Sequence, residues 1–289
     1  MKEIVIISGK GGTGKTVITA SIAALAKNKV MGDCDVDASN LYLLLHPEIK
    51  EKHDFYAGLI PSIDLGECTN CGRCQEVCRF DAIKTIKGQT VIDLISCEGC
   101  GLCALVCPVQ AIQMKENLCG EWYISETKYG PLVHARLGIA EENSGKLVTL
   151  VRQNAQAIAK KNDFELIIVD GPPGIGCPLI ATLSGANLAV VVTEPTLSGI
   201  HDLERVVKVA QHFGVKTVVI INKFDINLEN SAKIEDWCKE TNISVIGKIH
   251  FDNIITEALV MGLPVVEYND NTVTKEIKDI WQKINTIVE

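Results

Sequence analysis

The densest set of reactive side chains in this chain is a repeated run of cysteines. Residues 68–83 read CTNCGRCQEVCRFDAI and residues 97–112 read CEGCGLCALVCPVQAI, so each run has the spacing C-x2-C-x2-C-x3-C. A structural zinc ion is usually held by four ligands from paired C-x-x-C knuckles. Three thiolates spaced two residues apart instead suit three corners of an iron–sulfur cubane. The spacing therefore favours [4Fe–4S] chemistry over zinc binding.

The doubled motif resembles that of the bacterial two-cluster ferredoxins, in which the fourth cysteine of each run ligates the other cluster. One departure is Arg79, which follows Cys78 where proline is commonest. A basic side chain there is expected to alter the potential of the neighbouring cluster without removing a ligand. The resemblance implies two [4Fe–4S] clusters close enough to exchange electrons. Their ligands would be Cys68, Cys71, Cys74 and Cys107 for the first, and Cys97, Cys100, Cys103 and Cys78 for the second.

A second reactive segment lies near the start of the chain. Residues 9–16 read GKGGTGKT, which satisfies the phosphate-binding pattern G-x-x-x-x-G-K-[ST]. Glycines let backbone N–H groups approach phosphate, and the N-terminus of a following helix adds a favourable dipole. We expect Lys15 to reach the β- and γ-phosphates and the Thr16 hydroxyl to coordinate Mg²⁺. The other nucleotide-binding residues of the loop are predicted to be Gly11, Gly12, Thr13 and Gly14.

The KGGTGKT loop, with its additional lysine, resembles the deviant loop of the MinD/ParA group of ATPases, which includes the nitrogenase iron protein. In that group the lysine at the position of Lys10 reaches across a dimer to the partner's nucleotide. DCDVDASNL at 33–41 resembles the first switch, with Asp35 as the acid that orients water. DGPPG at 170–174 resembles the second switch, in which Asp170 would sense Mg²⁺ through a water. The resemblance implies an ATP-dependent homodimer whose hydrolysis depends on Lys10, Lys15, Asp35 and Asp170.

The identity of the base is open to two interpretations. Residues 222–225 read NKFD, and N-K-x-D after a strand is how GTPases read guanine. In MinD-like proteins the asparagine at the position of Asn222 lies beside adenine instead. Because the two-lysine loop belongs to the ATPase group, ATP is favoured over GTP.

The order of predicted elements indicates an α/β fold. Strands such as EIVIIS at 3–8 alternate with helices, for example from about Lys15 to Lys27, from about Ser39, and after Ser198, which is placed to cap its helix. This alternation predicts a mainly parallel sheet with helices on both faces, and the resemblance implies a P-loop NTPase of the SIMIBI type. The cysteine segment interrupts the pattern. We therefore predict an ATPase domain from 1–61 and 116–289, with a bacterial-type α+β ferredoxin domain inserted at 62–115.

Composition limits the partners. The net charge is −8 and there is no long basic run, which argues against nucleic acid and against anionic membrane surfaces. The last helix has too little positive charge for a membrane anchor, so we expect it to pack on the body of the protein. Twelve cysteines without a recognisable export signal indicate metal or redox chemistry in the cytoplasm rather than a disulfide framework.

Several other polar residues are predicted to have ordinary roles. Asp33 and Asp37 are interpreted as a solvated strand end, and His134 as a packed or hydrogen-bonded histidine. Cys177 lies in DGPPGIGC, at an offset similar to that of a cluster-binding cysteine in the nitrogenase iron protein. No second cysteine accompanies it in a convincing position, so we interpret it, like Cys34, Cys119 and Cys238, as an ordinary thiol.

The complete arrangement resembles MinD/Mrp-like ATPases that carry an inserted two-cluster ferredoxin domain. This resemblance implies an iron–sulfur protein in which nucleotide state influences electron transfer or engagement of a redox or iron–sulfur protein partner. The main alternative is an ATPase that carries or assembles clusters for apoproteins. A MinD/ParA-like positioning ATPase and a cobyrinate amidoligase are less favoured, because the chain lacks a basic surface and has no room for a glutaminase domain.

Overall fold

Strands and helices alternate along most of the chain in the computed structural model, which describes residues 1–138, 141 and 144–289. The described residues form two units. The first comprises Met1–His53, Glu121–Leu137 and Ser144–Glu289, and the second comprises Asp54–Gly120 together with Gly138 and Glu141. The second unit is somewhat longer than the insertion expected at 62–115, because the two long strands that lead into and out of the cysteine segment contribute to it.

Eleven strands are present among the described residues, and nine of them form one sheet. They are β1 (Lys2–Ser8), β2 (Lys29–Asp33), β3 (Glu48–Ile63), β4 (Ile83–Ile86), β5 (Gln89–Ile92), β6 (Ile112–Thr127), β7 (Gly130–Leu137), β8 (Leu166–Pro173), β9 (Leu188–Thr193), β10 (Lys216–Asn222) and β11 (Ser244–Ile249). The sheet has the order β11-β10-β9-β1-β8-β2-β7-β6-β3. Neighbours from β11 to β7 are all parallel, which confirms the predicted mainly parallel α/β sheet.

The helices fill the connections between these strands. They are α1 (Lys15–Leu25), α2 (Tyr42–Leu45), α3 (Arg73–Glu76), α4 (Leu102–Val106), α5 (Ser144–Lys161), α6 (Cys177–Leu183), α7 (Leu197–His212), α8 (Leu228–Glu240), α9 (Ile254–Val260), α10 (Val265–Tyr268) and α11 (Thr272–Val288), with a 3-10 turn at Phe224–Ile226. Within the part of the chain that the structure describes, none of them combines the length and apolar character needed to cross a membrane.

The core of the first unit follows from the two-residue period of its central strands. Alternate residues of β1, such as Ile4 and Ile6, pack in one cluster with Ile18 and Ile22 of α1. The buried stripe of α11, which consists of Val273, Ile277, Ile280 and Ile284, belongs to the same cluster. The intervening β1 residues, Val5 and Ile7, are also fully buried, so β1 is covered on both faces. The expectation that the last helix packs on the protein body is thus confirmed.

Three predicted helix starts or ends are corrected. The first helix ends at Leu25 rather than Lys27, and the short helix begins at Tyr42 rather than near Ser39. The hydroxyl that caps α7 belongs to Thr196, which accepts a hydrogen bond from the Gly199 N–H at 3.0 Å, and not to Ser198. Thr196 and Ser198 both satisfy the capping preference, so local sequence does not separate them.

The second unit contains both cysteine runs. Strands β4 and β5 form an antiparallel hairpin between the runs, and the short helices α3 and α4 each begin next to a cysteine. A small apolar cluster joins elements from both runs. Its buried members are Cys74, Ile83, Cys103 and Ile112.

Candidate functional site

The glycine loop between β1 and α1 has a backbone that only small residues allow. Gly12 and Gly14 have φ values of 79° and 87°, in the left-handed region that favours glycine. A Cβ on Gly14 would lie 2.3 Å from the side-chain nitrogen of Asn222, whereas one on Gly11 or Gly12 would meet no atom within 4 Å. The open side of the loop therefore lies at Gly11 and Gly12, and its closed side is fixed by Asn222.

Asn222 holds the loop directly, since its Nδ2 donates to the Thr13 carbonyl oxygen at 2.8 Å. The hydroxyl oxygen of Thr13 is buried and has no hydrogen-bond partner among the residues that the structure describes. A buried polar atom without a partner is unfavourable, so this hydroxyl is available to a ligand group at the loop.

Lys15 brings the loop and both acidic segments together. Its Nζ lies 3.0 Å from Asp170 Oδ1 and 3.3 Å from Asp35 Oδ2, and its side chain is only 6% exposed. Burial lowers the pKa of Lys15, but the negative charges of Asp170 and Asp35 outweigh this effect and raise the pKa above its ordinary value. The ammonium group is therefore charged and has carboxylate oxygens as its anionic partners.

Asp170 lies within the buried part of β8, which extends to Pro172, and it binds α1 at three points. Besides Lys15, it accepts hydrogen bonds from the Thr16 hydroxyl at 2.8 Å and the Thr19 hydroxyl at 2.9 Å. Its side chain is almost fully buried. The sequence predicted Thr16, Asp35 and Asp170 from three separate motifs. In the structure these residues lie together around Lys15.

Asp33 is more important than the sequence indicated. Its prediction as a solvated residue was wrong, because it is fully buried at the end of β2, whereas Asp37 is exposed as expected. The Asp33 carboxylate accepts hydrogen bonds from the Ser39 hydroxyl at 2.6 Å and from the Asp35 N–H at 3.1 Å. Burial and the nearby Asp170 charge raise the pKa of Asp33 to about 7. Asp33 therefore shapes the turn that presents Asp35.

Lys10 is bound within its own chain. Its Nζ lies 2.5 Å from a carboxylate oxygen of Glu194, and it donates to the hydroxyls of Thr196 at 3.2 Å and Ser198 at 3.1 Å. Glu194 also contacts Lys223 at 3.4 Å. In this conformation Lys10 is anchored to the segment between β9 and α7.

The N-K-F-D segment does not present a free aspartate. Asp225 Oδ1 accepts a hydrogen bond from the Phe251 N–H at 2.7 Å. Asn222, two residues before the 3-10 turn, is committed to the glycine loop through Thr13. The aspartate is thus already used in fixing the loop that follows β11.

The eight repeated cysteines line two separate cavities. The first is lined by Cys68, Cys71, Cys74 and Cys107, and the second by Cys78, Cys97, Cys100 and Cys103. Each cavity therefore has three cysteines from one run and the fourth from the other. This membership is the one predicted from the sequence, while the role of the thiols as ligands stays a prediction.

The thiols in each set surround a space instead of converging on a point. Across residues 1–138, 141 and 144–289, no three His, Cys, Asp or Glu side chains are arranged to hold a single metal ion. Backbone N–H groups donate to three of the sulfurs: Asn70 to Cys68 at 3.4 Å, Ala111 to Cys107 at 3.3 Å and Gly99 to Cys97 at 3.5 Å. These donors favour negative charge on the sulfurs.

The remaining thiols lie elsewhere. Cys34, Cys119 and Cys238 are buried, and Cys177 is exposed at the first residue of α6. None of these four lines either cavity described above.

His134 is packed as predicted. It lies on β7, 7% exposed, with its ring stacked on that of Tyr123 at a centroid distance of 4.9 Å. Its Nε2 lies 2.9 Å from the Ser125 hydroxyl. Burial lowers the pKa of His134 to about 4, so the ring is neutral at pH 7.

Comparisons with known proteins agree with this geometry. The profile of the CobQ/CobB/MinD/ParA nucleotide binding domain matches residues 4–265. An uncharacterized protein of Methanocaldococcus jannaschii is 35% identical over 289 residues, covering 99% of this chain and 97% of that protein. An iron–sulfur cluster carrier protein of Pyrococcus abyssi is 25% identical over 154 residues, covering 48% and 52% of the two chains.

A solved structure shows the same fold. The septum site-determining protein MinD of Pyrococcus horikoshii, complexed with Mg-ADP, superposes with a TM-score of 0.61 at 18% identity. The match covers 99% of this chain and 96% of that one.

The buried His134 ring predicts a loss of stability in acid. The pKa is lowered from 6.5 in the unfolded chain to about 4 in the folded protein, so unfolding takes up a proton as the pH falls through this range. Relative to His134→Gln, the unsubstituted chain should lose up to about 3 kcal/mol of unfolding free energy between pH 6.5 and 4. Urea unfolding at several pH values measures this difference. His201→Gln, which removes a largely exposed ring, is the control, and equal pH slopes for the unsubstituted chain and His134→Gln would contradict the prediction.

Proposed function

Because the chain belongs to the CobQ/CobB/MinD/ParA nucleotide-binding family, we propose that it is an ATP-binding and ATP-hydrolysing protein with two [4Fe–4S] clusters. Nucleotide state would be coupled to electron transfer or to engagement of a redox or iron–sulfur protein partner. The observation that carries this proposal is the pair of cavities, each lined by four cysteines drawn from both runs. Two sets of four cysteines, each drawn from both runs, are the arrangement expected of a two-cluster ferredoxin motif.

The glycine loop fits a nucleotide with Mg²⁺. Gly11 and Gly12 face open space, the Thr13 hydroxyl lacks a partner, and the charged Lys15 already pairs with anionic groups. Phosphate oxygens would replace the carboxylates of Asp170 and Asp35 as partners of Lys15, and the Thr16 hydroxyl would be released to Mg²⁺. Asp170 and Asp35 would then be free to act on Mg²⁺-bound water and on the attacking water. The Mg-ADP complex of the MinD relative supports this role.

Adenine is supported over guanine by Asp225. A guanine-reading aspartate must offer its carboxylate to the base, whereas one oxygen of Asp225 is held by the Phe251 N–H. Asn222 is likewise tied to Thr13. We therefore propose ATP as the nucleotide.

Hydrolysis would require a homodimer. Lys10 would leave Glu194, Thr196 and Ser198 and reach the nucleotide of the partner subunit, as in the MinD/ParA group. This exchange costs the Lys10–Glu194 ion pair, which is partly exposed and therefore weak enough to break. The resulting enzyme would be a slow, dimer-dependent ATPase.

The cysteine cavities fit [4Fe–4S] clusters by the chemistry of their donors. Thiolates bind iron, four are available in each cavity, and no carboxylate or histidine lines the first cavity. Cys68, Cys71, Cys74 and Cys107 would hold one cluster and Cys78, Cys97, Cys100 and Cys103 the other. The clusters would supply one-electron redox chemistry. The chain's contribution is to exclude solvent on one side and to donate N–H groups to the sulfurs.

A second candidate function is cluster delivery. Cys71 and Cys100 are exposed, one in each tetrad, so both sites can be reached by an acceptor thiol. The partial similarity to an iron–sulfur cluster carrier protein points in the same direction. Mixing the cluster-loaded chain with an apo-ferredoxin distinguishes the candidates: rapid transfer of iron would favour delivery, and retention would favour electron transfer.

Nucleotide binding should depend on Lys15 and favour ATP. Lys15→Ala removes a charged donor to phosphate and should weaken ATP binding by at least tenfold, since such hydrogen bonds contribute about 1.5–3 kcal/mol. Calorimetric titration with ATP and competition with GTP measure both effects. Lys208→Ala, on the exposed face of α7, is the control and should leave affinity unchanged. Tighter binding of GTP than ATP by tenfold would overturn the assignment of the base.

Iron content should depend on the tetrad cysteines alone. After anaerobic reconstitution, the chain should hold about eight iron atoms, four for each cubane. Cys78→Ala removes one ligand of the second set and should lower this number, whereas Cys177→Ala, an exposed thiol that lines neither cavity, should not. Iron and sulfide analysis with absorption spectra measure the outcome. An iron content that is near zero in the unsubstituted chain, or unaffected by Cys78→Ala, would contradict the cluster assignment.

A further inference from the structure

The two cysteine runs are not equivalent at the positions between their cysteines. When the runs are aligned, Thr69 corresponds to Glu98, Asn70 to Gly99 and Arg73 to Leu102. In these three pairs the first run has the neutral hydrogen-bonding or cationic residue, and the second run has an acidic or apolar residue or glycine. The opposite exchange, Glu76 for Leu105, lies outside both cavity linings, so the residues that line the two tetrads differ in charge.

Ile63, Val109 and Ile112 give the first cavity a mainly apolar lining, to which one cation is added. Besides its cysteines, it is lined by Arg73 and by the hydroxyl-bearing Thr69 and Thr90. Arg73 is the sole charged residue among those that line it. Two of the tetrad sulfurs, those of Cys68 and Cys107, accept backbone N–H hydrogen bonds at 3.4 and 3.3 Å.

The second cavity is also lined mainly by apolar residues, and its charged residue is an anion. Leu102, Phe80 and Met114 take part in it, and Glu98 is its sole charged residue. One tetrad sulfur, that of Cys97, accepts a backbone N–H hydrogen bond, at 3.5 Å. Arg79 follows Cys78 in sequence and is exposed, as Arg73 is, but unlike Arg73 it does not line either cavity.

Asn70 fixes the donor at the first tetrad. Its Oδ1 accepts hydrogen bonds from the N–H of Thr90 at 3.0 Å and from the Thr90 hydroxyl at 3.1 Å. These bonds tie the Cys68–Cys71 loop to β5 and hold Asn70 at φ 50°, where its own N–H reaches Cys68. The aligned Gly99 has no such anchor, and a Cβ there would lie 2.1 Å from the Leu59 carbonyl oxygen.

These differences act on the energy of an added electron. Reduction adds negative charge to a centre, so a neighbouring cation and N–H or O–H donors stabilise the reduced form and raise the reduction potential. A neighbouring carboxylate disfavours the added charge and lowers the potential. The linings of the two cavities therefore act in opposite directions.

We propose that the two tetrads form an asymmetric pair in which the Cys68 tetrad has the higher reduction potential and holds the first electron. This inference rests on the proposed binding of two [4Fe–4S] clusters. An external one-electron donor of low reduction potential is oxidised by one electron for each tetrad that is reduced. The first electron is held at the Cys68 tetrad, whichever tetrad the donor reduces. Arg73 is the main source of the asymmetry, and Asn70 is a positioning residue that acts through the Cys68 loop.

Exchange of the aligned residues Arg73 and Leu102 tests the proposed difference in reduction potential directly. The reconstituted full-length chain is titrated anaerobically and followed by electron paramagnetic resonance, with Arg73→Leu, Leu102→Arg and the double exchange as variants. Cys71→Ser, which changes a ligand of the Cys68 tetrad, assigns the waves. The unsubstituted chain should show two waves, of which Cys71→Ser alters the one at higher potential.

The expected shifts have opposite signs. Arg73→Leu should lower the reduction potential of the first wave by about 59 mV. For one electron this shift is a tenfold change in the ratio of reduced to oxidised centre. Leu102→Arg should raise the second wave, and the double exchange should bring the waves together or invert their order. Arg79→Gln, a nearby exposed arginine outside both linings, should leave the first wave unchanged. Asn70→Gly keeps the left-handed backbone but loses the anchor to Thr90, and should lower the first wave only.

Failure of this inference is separable from failure of the proposed function. Coincident waves in the unsubstituted chain, alteration of the lower wave by Cys71→Ser, or no shift in Arg73→Leu would overturn the asymmetry. Such results would leave two bound clusters intact. Absence of a [4Fe–4S] spectrum after reconstitution would instead overturn the proposed function on which the inference rests.

Discussion

A buried carboxylate at the end of β8 determines how the first unit is organised. Asp170 lies almost fully buried between β1 and β2, and an isolated charge in that position would be strongly unfavourable. Its partners are Lys15, Thr16 and Thr19 of α1, and its backbone carbonyl accepts from the Cys34 N–H after β2. One residue thus joins the glycine loop to both acidic segments. A ligand that competes for Lys15 or Thr16 would have to rearrange all of them, which would be the physical basis of the proposed nucleotide-dependent switch.

In the second unit the two cysteine runs depend on each other. Each cysteine cavity takes its fourth thiol from the other run, so neither run completes a tetrad alone. Cys74 and Cys103 also share one apolar cluster with Ile83 and Ile112. The two cavities nevertheless differ in lining, because a duplicated motif fixes the cysteine positions and leaves the residues between them free to differ. The two proposed clusters would therefore have similar ligands but unequal affinity for an electron.

Much of the architecture follows from local patterns. The alternation of apolar strands with helices predicted the parallel sheet, and the glycine loop was recognisable because its chemistry fixes four residue types within eight consecutive positions. Burial of Asp33 was missed, since it depends on donors from Ser39 and Leu41 that only the folded turn brings together. The bond between Asn70 and Thr90 joins residues 20 positions apart and has no sequence pattern. Likewise, no motif indicates that Lys10 is held by Glu194.

Coupling between nucleotide and the cysteine tetrads is measured most directly by redox titration of the reconstituted chain with and without a non-hydrolysable ATP analogue. Coupling between sites is typically about 1–3 kcal/mol, which corresponds to a displacement of roughly 40–130 mV for one electron. We expect the titration curve to move by this amount, and the curve of Lys15→Ala to stay in place. Coincident curves for the unsubstituted chain, under conditions where the analogue is shown to be bound, would contradict control of the potentials by nucleotide.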